Sequence, residues 1–150
     1  MEKVTLRDVL ISKNELERYY DGVVPVHLWR ALNVRRGGSL FDLVEAGYLQ
    51  SSGRFRPADI TIVDGWVKID QRPRGISTFD RRGIPRGKDW EYYRIPAGTQ
   101  LPAGLAIVRD AYNESSGATH YTIAPAWEMR IEVFRLLLSR LAQVVVKEAV

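Results

Sequence analysis

Cysteine is absent from this chain, and histidine occurs only at His27 and His120. The first absence removes disulfides, thiol nucleophiles and thiolate metal sites, and the scarcity of histidine excludes a histidine-rich metal cage. Long apolar runs are missing too. Leu136-Leu137-Leu138 and Val144-Val145-Val146 are closed off by Arg140 and Lys147, far short of the roughly 20 residues that span a bilayer. The first 24 residues contain Glu2, Asp8, Glu15, Glu17 and Asp21, so neither an apolar secretory core nor an acid-poor transit sequence is expected, and the reading is of a chain without a signal peptide. Hydroxyl, carboxylate, guanidinium and imidazole groups are left to carry any chemistry. With 150 residues, 45% hydrophobic and 27% charged, the chain suits one compact domain.

The net charge of +4 is unevenly spread. Between Gln71 and Lys88 lie Arg72, Arg74, Arg81, Arg82, Arg86 and Lys88 against Asp80 alone, which makes that segment +5 and the remainder −1. Pro73, Gly75, Gly83, Pro85 and Gly87 punctuate it. Such a segment reads either as basic loops that attract a phosphate-bearing ligand or as a charged face that keeps the loops solvated.

Thr5 before Asp8 and Ser12 before Glu15 offer two capping boxes. Leu6, Val9, Leu10, Leu16 and Tyr20 follow on one helical face, so a helix is expected over much of 6–20, ended by Gly22. Residues 23–32 alternate as a strand carrying His27, Trp29 and Arg30. Ser39 is expected to cap a short helix through Leu40, Phe41, Val44 and Tyr48. Residues 60–69 read as two short strands around Asp64-Gly65. Residues 92–95, 105–109 and 120–124 form successive strands between turns. Pro125 near a first turn, then Met129, Val133, Leu136, Leu137, Leu141 and Val144, predicts a C-terminal helix packed on the sheet. Strands bracketed by helices give an α+β fold.

Arg30 cannot shed its charge, so a place in a strand demands an anionic ligand or an internal ion pair with Asp59 or Asp80. Ser77 and Thr78 are adjacent on an extended segment and point to opposite faces, one able to bond a ligand while the other bonds the scaffold. His120 and Thr122 share one face, with Tyr121 and Ile123 on the other. His120 either positions or deprotonates a hydroxyl or holds a loop as a neutral histidine. Trp29, Trp66, Trp90 and Trp127 are stacking surfaces or core.

Taken together, Leu28-Trp29-Arg30-Ala31, Gly75-Ile-Ser-Thr-Phe-Asp-Arg81, Ile95-Pro-Ala-Gly-Thr99, Asp110-Ala-Tyr-Asn113 and Ala118-Thr-His-Tyr-Thr-Ile-Ala-Pro-Ala126 with Met129 resemble the small bacterial type VI secretion toxins of ADP-ribosyltransferase fold. The likeness is strong over about residues 57–140, thinner around Arg30 and not visible in residues 1–22. That division sets a helical addition over 1–22 apart from a core over 23–150. The resemblance implies a split antiparallel sheet, NAD as substrate without a metal, and action in the cytosol of a target cell. It also implies a cytoplasmic producer protected by a cognate immunity protein, and an acceptor that is protein or nucleic acid. It assigns Ser77, Thr78 and His120 to catalysis, and Arg30, Tyr112 and Tyr121 to the dinucleotide. The His120 segment, which holds no Glu-x-Glu, stands where the third-strand glutamate is expected; Glu114 and Glu128 lie outside the pattern, and Glu132 reads as a surface or capping residue. Two other readings suit a small basic domain: a metal-independent ribonuclease toxin and a non-catalytic inhibitory binding module.

Overall fold

Alternation of burial along two long strands sets the architecture. A computed structural model describes residues 4–148, so the outermost residues of the expected domain, 1–3 and 149–150, lie outside the described part. In chain order the elements are α1 (Leu6–Ser12), a 3₁₀ turn (Leu16–Arg18), β1 (Tyr19–Tyr20), β2 (Leu28–Asn33), β3 (Tyr48–Leu49), β4 (Phe55–Arg56), β5 (Ile62–Val63) and β6 (Trp66–Val67). They continue with β7 (Ile76–Phe79), β8 (Trp90–Ile95), β9 (Leu105–Asn113), β10 (Ala118–Pro125), β11 (Met129–Arg130), α2 (Ile131–Ala142) and β12 (Val146–Lys147). The fold is α+β. A seven-stranded sheet runs β1-β9-β10-β7-β2-β8-β12, beside a three-stranded sheet β11-β6-β5 and the hairpin β3-β4.

Side chains on successive strand residues point to opposite faces, so each face needs its own cover. Ile107, Ile123, Ile76 and Tyr121 enter the main core with Phe134, Leu138 and Leu141 of α2. Ala106, Val108 and Ala124 meet Leu6 and Leu10 of α1 on the opposite side. Fully burying each large aliphatic or aromatic side chain contributes about 1.5–3 kcal/mol.

Several expected elements change. The N-terminal helix stops at Ser12. Thr5 Oγ1 accepts from Asp8 N (3.1 Å), the Ser12 hydroxyl folds back onto Val9 O (2.7 Å), and Asn14 takes a left-handed φ of 58° that ends the helical run. The chain then enters the main sheet, Tyr19 and Tyr20 pairing with Val108 and Ile107. The segment set apart as an addition therefore supplies both an edge strand and a covering helix. The helix expected after Ser39 does not form. Its internal bond from Val44 N to Leu40 O is replaced at both ends, since Val44 N donates to Asp59 Oδ2 (2.7 Å) and Leu40 O accepts from Arg30 Nε (3.1 Å). Pro125 closes β10 instead of opening a helix, and α2 begins only at Ile131 because Met129 and Arg130 pair with β6. The phase of α2 is set by Phe134, Leu137, Leu138 and Leu141, which leaves Val133 and Leu136 exposed. The turn at Asp64-Gly65 joins β5 to β6 as expected, both residues having positive φ.

Close approach of backbones at the start of β7 makes one glycine indispensable. A Cβ on Gly75 would lie 1.9 Å from the Ile123 carbonyl oxygen and 2.9 Å from its carbon, both main-chain atoms of the neighbouring strand. Gly75→Ala is expected to destabilise the domain by about 3 kcal/mol, lowering its thermal midpoint by roughly 10 °C. Gly22→Ala, where the added carbon meets nothing within 4 Å, should be close to neutral. Calorimetry on the two variants decides; equal midpoints would contradict the packing.

Candidate functional site

Because α1 is only seven residues long, it covers part of one face of the sheet and leaves the rest bare. Val108 and Ala124 lie under the helix. Two residues further along the same face of each strand come Asp110 on β9 and Thr122, then His120, on β10. On β7, Ser77 is opposite Thr122 and Phe79 opposite His120, which adds both to this face. An open cavity of about 800 Å³ lies here, with Ser77, Asp110, His120 and Thr122 in its wall and Lys13 and Arg18 from the N-terminal segment beside them.

The pairing of β9 with β10 slips at this point: Thr119 is opposite Tyr112 and Tyr121 opposite Arg109, so His120 confronts both Asp110 and Ala111. Such a bulge re-aims side chains. Here it sets Asp110 Oδ2 at 2.7 Å from His120 Nδ1, and the same oxygen accepts the Thr122 hydroxyl at 2.6 Å. Asp110 Oδ1 takes Arg18 Nη2 at 3.2 Å, and Arg18 also donates to the Arg109 carbonyl (2.6 Å) and pairs with Glu15. Burial by itself would raise the Asp110 carboxyl. The hydrogen bonds from His120 and Thr122, with the charge of Arg18, outweigh it and hold the carboxyl below its ordinary value. The ring of His120 meets Phe79 edge-on at 5.2 Å between centroids.

On the other side of Ser77 the main sheet opens. β7 pairs with four residues of β10 but meets β2 at Trp29↔Phe79 alone, and a second cavity of about 560 Å³ occupies the split, with Trp29, Arg30, Phe79 and Trp90 in its lining. Ser77 borders both cavities. Arg30 spans the split, giving Nη1 to the Ser77 carbonyl (2.9 Å) and Nε to the Leu40 carbonyl. Neither carboxylate expected as its partner is one. Asp59 bonds Arg56 (2.9 Å), Asp80 accepts from Thr119 N (2.8 Å), and among the described residues no carboxylate lies within 4 Å of Arg30. Desolvation therefore lowers the Arg30 guanidinium from its ordinary value, opposed by the more distant Asp59.

Of the six residues assigned from the sequence, Ser77, His120 and Arg30 border the cavities. The other three do not. Thr78 is 0% exposed and gives its hydroxyl to the Tyr121 carbonyl (2.9 Å), which makes it scaffold on the opposite face. Tyr121 belongs to the main core, where desolvation raises its hydroxyl. Tyr112, 60% exposed, stands on β9 beyond the bulge. The basic segment is divided: Arg72 and Arg74 border the larger cavity, whereas the 81–88 loop reaches the smaller one through Ile84 and Pro85. Asp110 was only one polar residue in a dense run until the bulge placed it, and Arg18 carried no sequence signal because its partner lies 92 positions away. His27 accepts from Ala97 N (2.9 Å), and among the described residues no group of three His, Asp or Glu side chains is arranged to hold a metal.

The family described as Tse2 ADP-ribosyltransferase toxin matches this chain over residues 5–150. Over 59 residues the chain is 48% identical to Toxin Tse2 of Pseudomonas aeruginosa, a stretch that covers 39% of this chain and 37% of that protein. The match thus spans little more than a third of the curated relative's length.

A carboxyl held low in the folded state stabilises it above the unfolded value of about 3.9, and that contribution disappears as pH falls through the lower folded value. Wild type should therefore lose stability in this acid range more steeply than Asp110→Asn. Urea midpoints measured from neutral pH down to about pH 3 test it; parallel curves would mean that the Asp110 network contributes nothing to acid sensitivity.

Proposed function

We propose, from the premise that this chain belongs to the Tse2 ADP-ribosyltransferase toxin family, that it transfers ADP-ribose from NAD and thereby poisons a target cell. NAD is here a substrate, consumed in each turnover. The observation that carries the reading is the split between β7 and β2. It separates the sheet into two halves at the position where Trp29-Arg30 and the Ser77 segment face each other. The cavity in the split is of the size that encloses a small ligand, and its lining combines aromatic faces (Trp29, Phe79, Trp90) with guanidinium groups (Arg30, Arg36, Arg56). Those are the groups that suit two rings joined by a pyrophosphate.

Cleavage of a nicotinamide–ribose bond develops positive charge on the sugar, as glycosidic cleavage does, and is accelerated chiefly by holding the reacting atoms in place. Arg30 serves this by tying β2 to β7 across the split through the Ser77 carbonyl, with its guanidinium in the lining of the cavity. The Ser77 hydroxyl, on the wall between the two cavities, binds a ribose hydroxyl. His120 stands one strand away on the same face. The 81–88 loop contributes positive potential at the mouth of the smaller cavity. The toxin reading extends the family description and the P. aeruginosa relative to this chain. With it come a cognate immunity partner, type VI delivery and action in the target cytosol.

Purified protein incubated with NAD should release nicotinamide, whereas total RNA in a parallel reaction should remain intact. Ser77→Ala and His120→Ala are each expected to lose release by roughly a hundredfold while keeping their thermal midpoints within a few degrees of wild type. Thr78→Val should do the reverse, keeping activity while losing about 1 kcal/mol of stability with its hydroxyl bond to Tyr121. RNA cleavage without nicotinamide release would replace the transferase reading with a nuclease, and inertness in both assays would favour an inhibitory binding module.

A further inference from the structure

We propose that the larger cavity receives the acceptor, and that the acceptor is a neutral side-chain hydroxyl of a protein, deprotonated by His120 with Asp110 as the positioning residue. The inference rests on the transferase reading above and adds the class of acceptor to it.

Three carboxylates border this cavity, Glu15, Asp59 and Asp110, and every one is already engaged. Glu15 pairs with Arg18 and Lys13. Asp59 bonds Arg56 and the Val44 amide. Asp110 has one oxygen on His120 and Thr122 and the other on Arg18. Lys13, Arg18, Arg72 and Arg74 stand among them. An arginine acceptor, which keeps its charge at any ordinary pH, would meet these cations and find no free carboxylate. A phosphodiester would find most of the cations likewise shared, Lys13 and Arg18 with Glu15 and Asp110, and Arg74 with Asp70. A neutral hydroxyl is opposed by neither set.

The basic group left for such an acceptor is His120. Its Nδ1 is held by Asp110, and a carboxylate there fixes the tautomer in which Nε2 keeps its lone pair. Arg18 and Thr122 hold the carboxylate in turn, so the bulge, the N-terminal segment and β10 all serve to aim one imidazole. In the transfer, the bond between the ribose anomeric carbon and the nicotinamide nitrogen breaks, and its electron pair neutralises the pyridinium charge. The hydroxyl oxygen forms the new bond to that carbon, and its proton passes to His120 Nε2 and then to solvent. The sum is NAD and alcohol giving O-ADP-ribosyl product, nicotinamide and one proton.

The test uses the whole protein with NAD labelled in its adenylate part and a bacterial cell extract. Label is expected on protein and should withstand neutral hydroxylamine, which strips ADP-ribose from arginine and from carboxylates but not from hydroxyls. Label that hydroxylamine releases, or label carried by nucleic acid, overturns the proposal while leaving the transferase reading standing; failure to release nicotinamide at all overturns that reading as well. For the positioning role, Asp110→Asn should lower kcat of transfer by roughly a hundredfold with little change in KM for NAD. Nitrogen NMR of His120 should show Nε2 unprotonated in wild type and protonated in the variant. Wild-type kcat in Asp110→Asn, or an unchanged tautomer, removes Asp110 from that role; the hydroxylamine result stands apart from whether the variant folds.

Discussion

Strand β10 is occupied on both edges and both faces, and the rest of the molecule is arranged around that constraint. Its edges are taken by β9 and β7. One face is sealed by α2 through Tyr121 and Ile123, and the other is partly sealed by α1 through Ala124. A period of two then sorts neighbouring residues into opposite environments. Tyr121 is core, while His120 and Thr122 face a cavity. The same sorting acts on β7, where Ile76 and Thr78 go inward and Ser77 and Phe79 face the cavities. A slip of one residue in register would exchange site and core completely. The close passage of Gly75 past the Ile123 carbonyl holds that register.

A buried guanidinium is unfavourable unless its donors are met. Arg30 meets its requirement with the carbonyls of Ser77 and Leu40 and so ties β2 to β7 where their own pairing gives out. The tie has a second effect. By drawing the Leu40 carbonyl toward Arg30 while Asp59 captures the Val44 amide, it prevents residues 39–47 from coiling into a helix. The open wall of the smaller cavity follows from those two hydrogen bonds.

The larger cavity depends on a different device. The β9–β10 ladder admits an extra residue opposite His120, and Asp110 is thereby brought against the imidazole. Arg18 arrives from the N-terminal segment to hold the other carboxylate oxygen. Residues 5–20 are thus part of the site's construction, in agreement with a family match that begins at residue 5.

By itself the sequence determined what depends on neighbours along the chain. The α+β class follows from periodicity, the Asp64-Gly65 turn from residues that tolerate positive φ, and the division of His120 and Thr122 from Tyr121 and Ile123 from strand alternation. Its linked Ser77 and His120 motifs also carried the family. Tertiary structure decided what depends on distant partners. Ser12 and Ser39 both look like helix caps, yet Asn14 ends α1 early and Arg30 with Asp59 dismantles the second helix. Thr78 and Tyr121 carry suitable groups, but packing buries them on the sheet face away from both cavities. Asp110 and Arg18 acquire a role only because a bulge and an edge strand bring together residues 92 positions apart, and no local preference along the chain encodes that meeting.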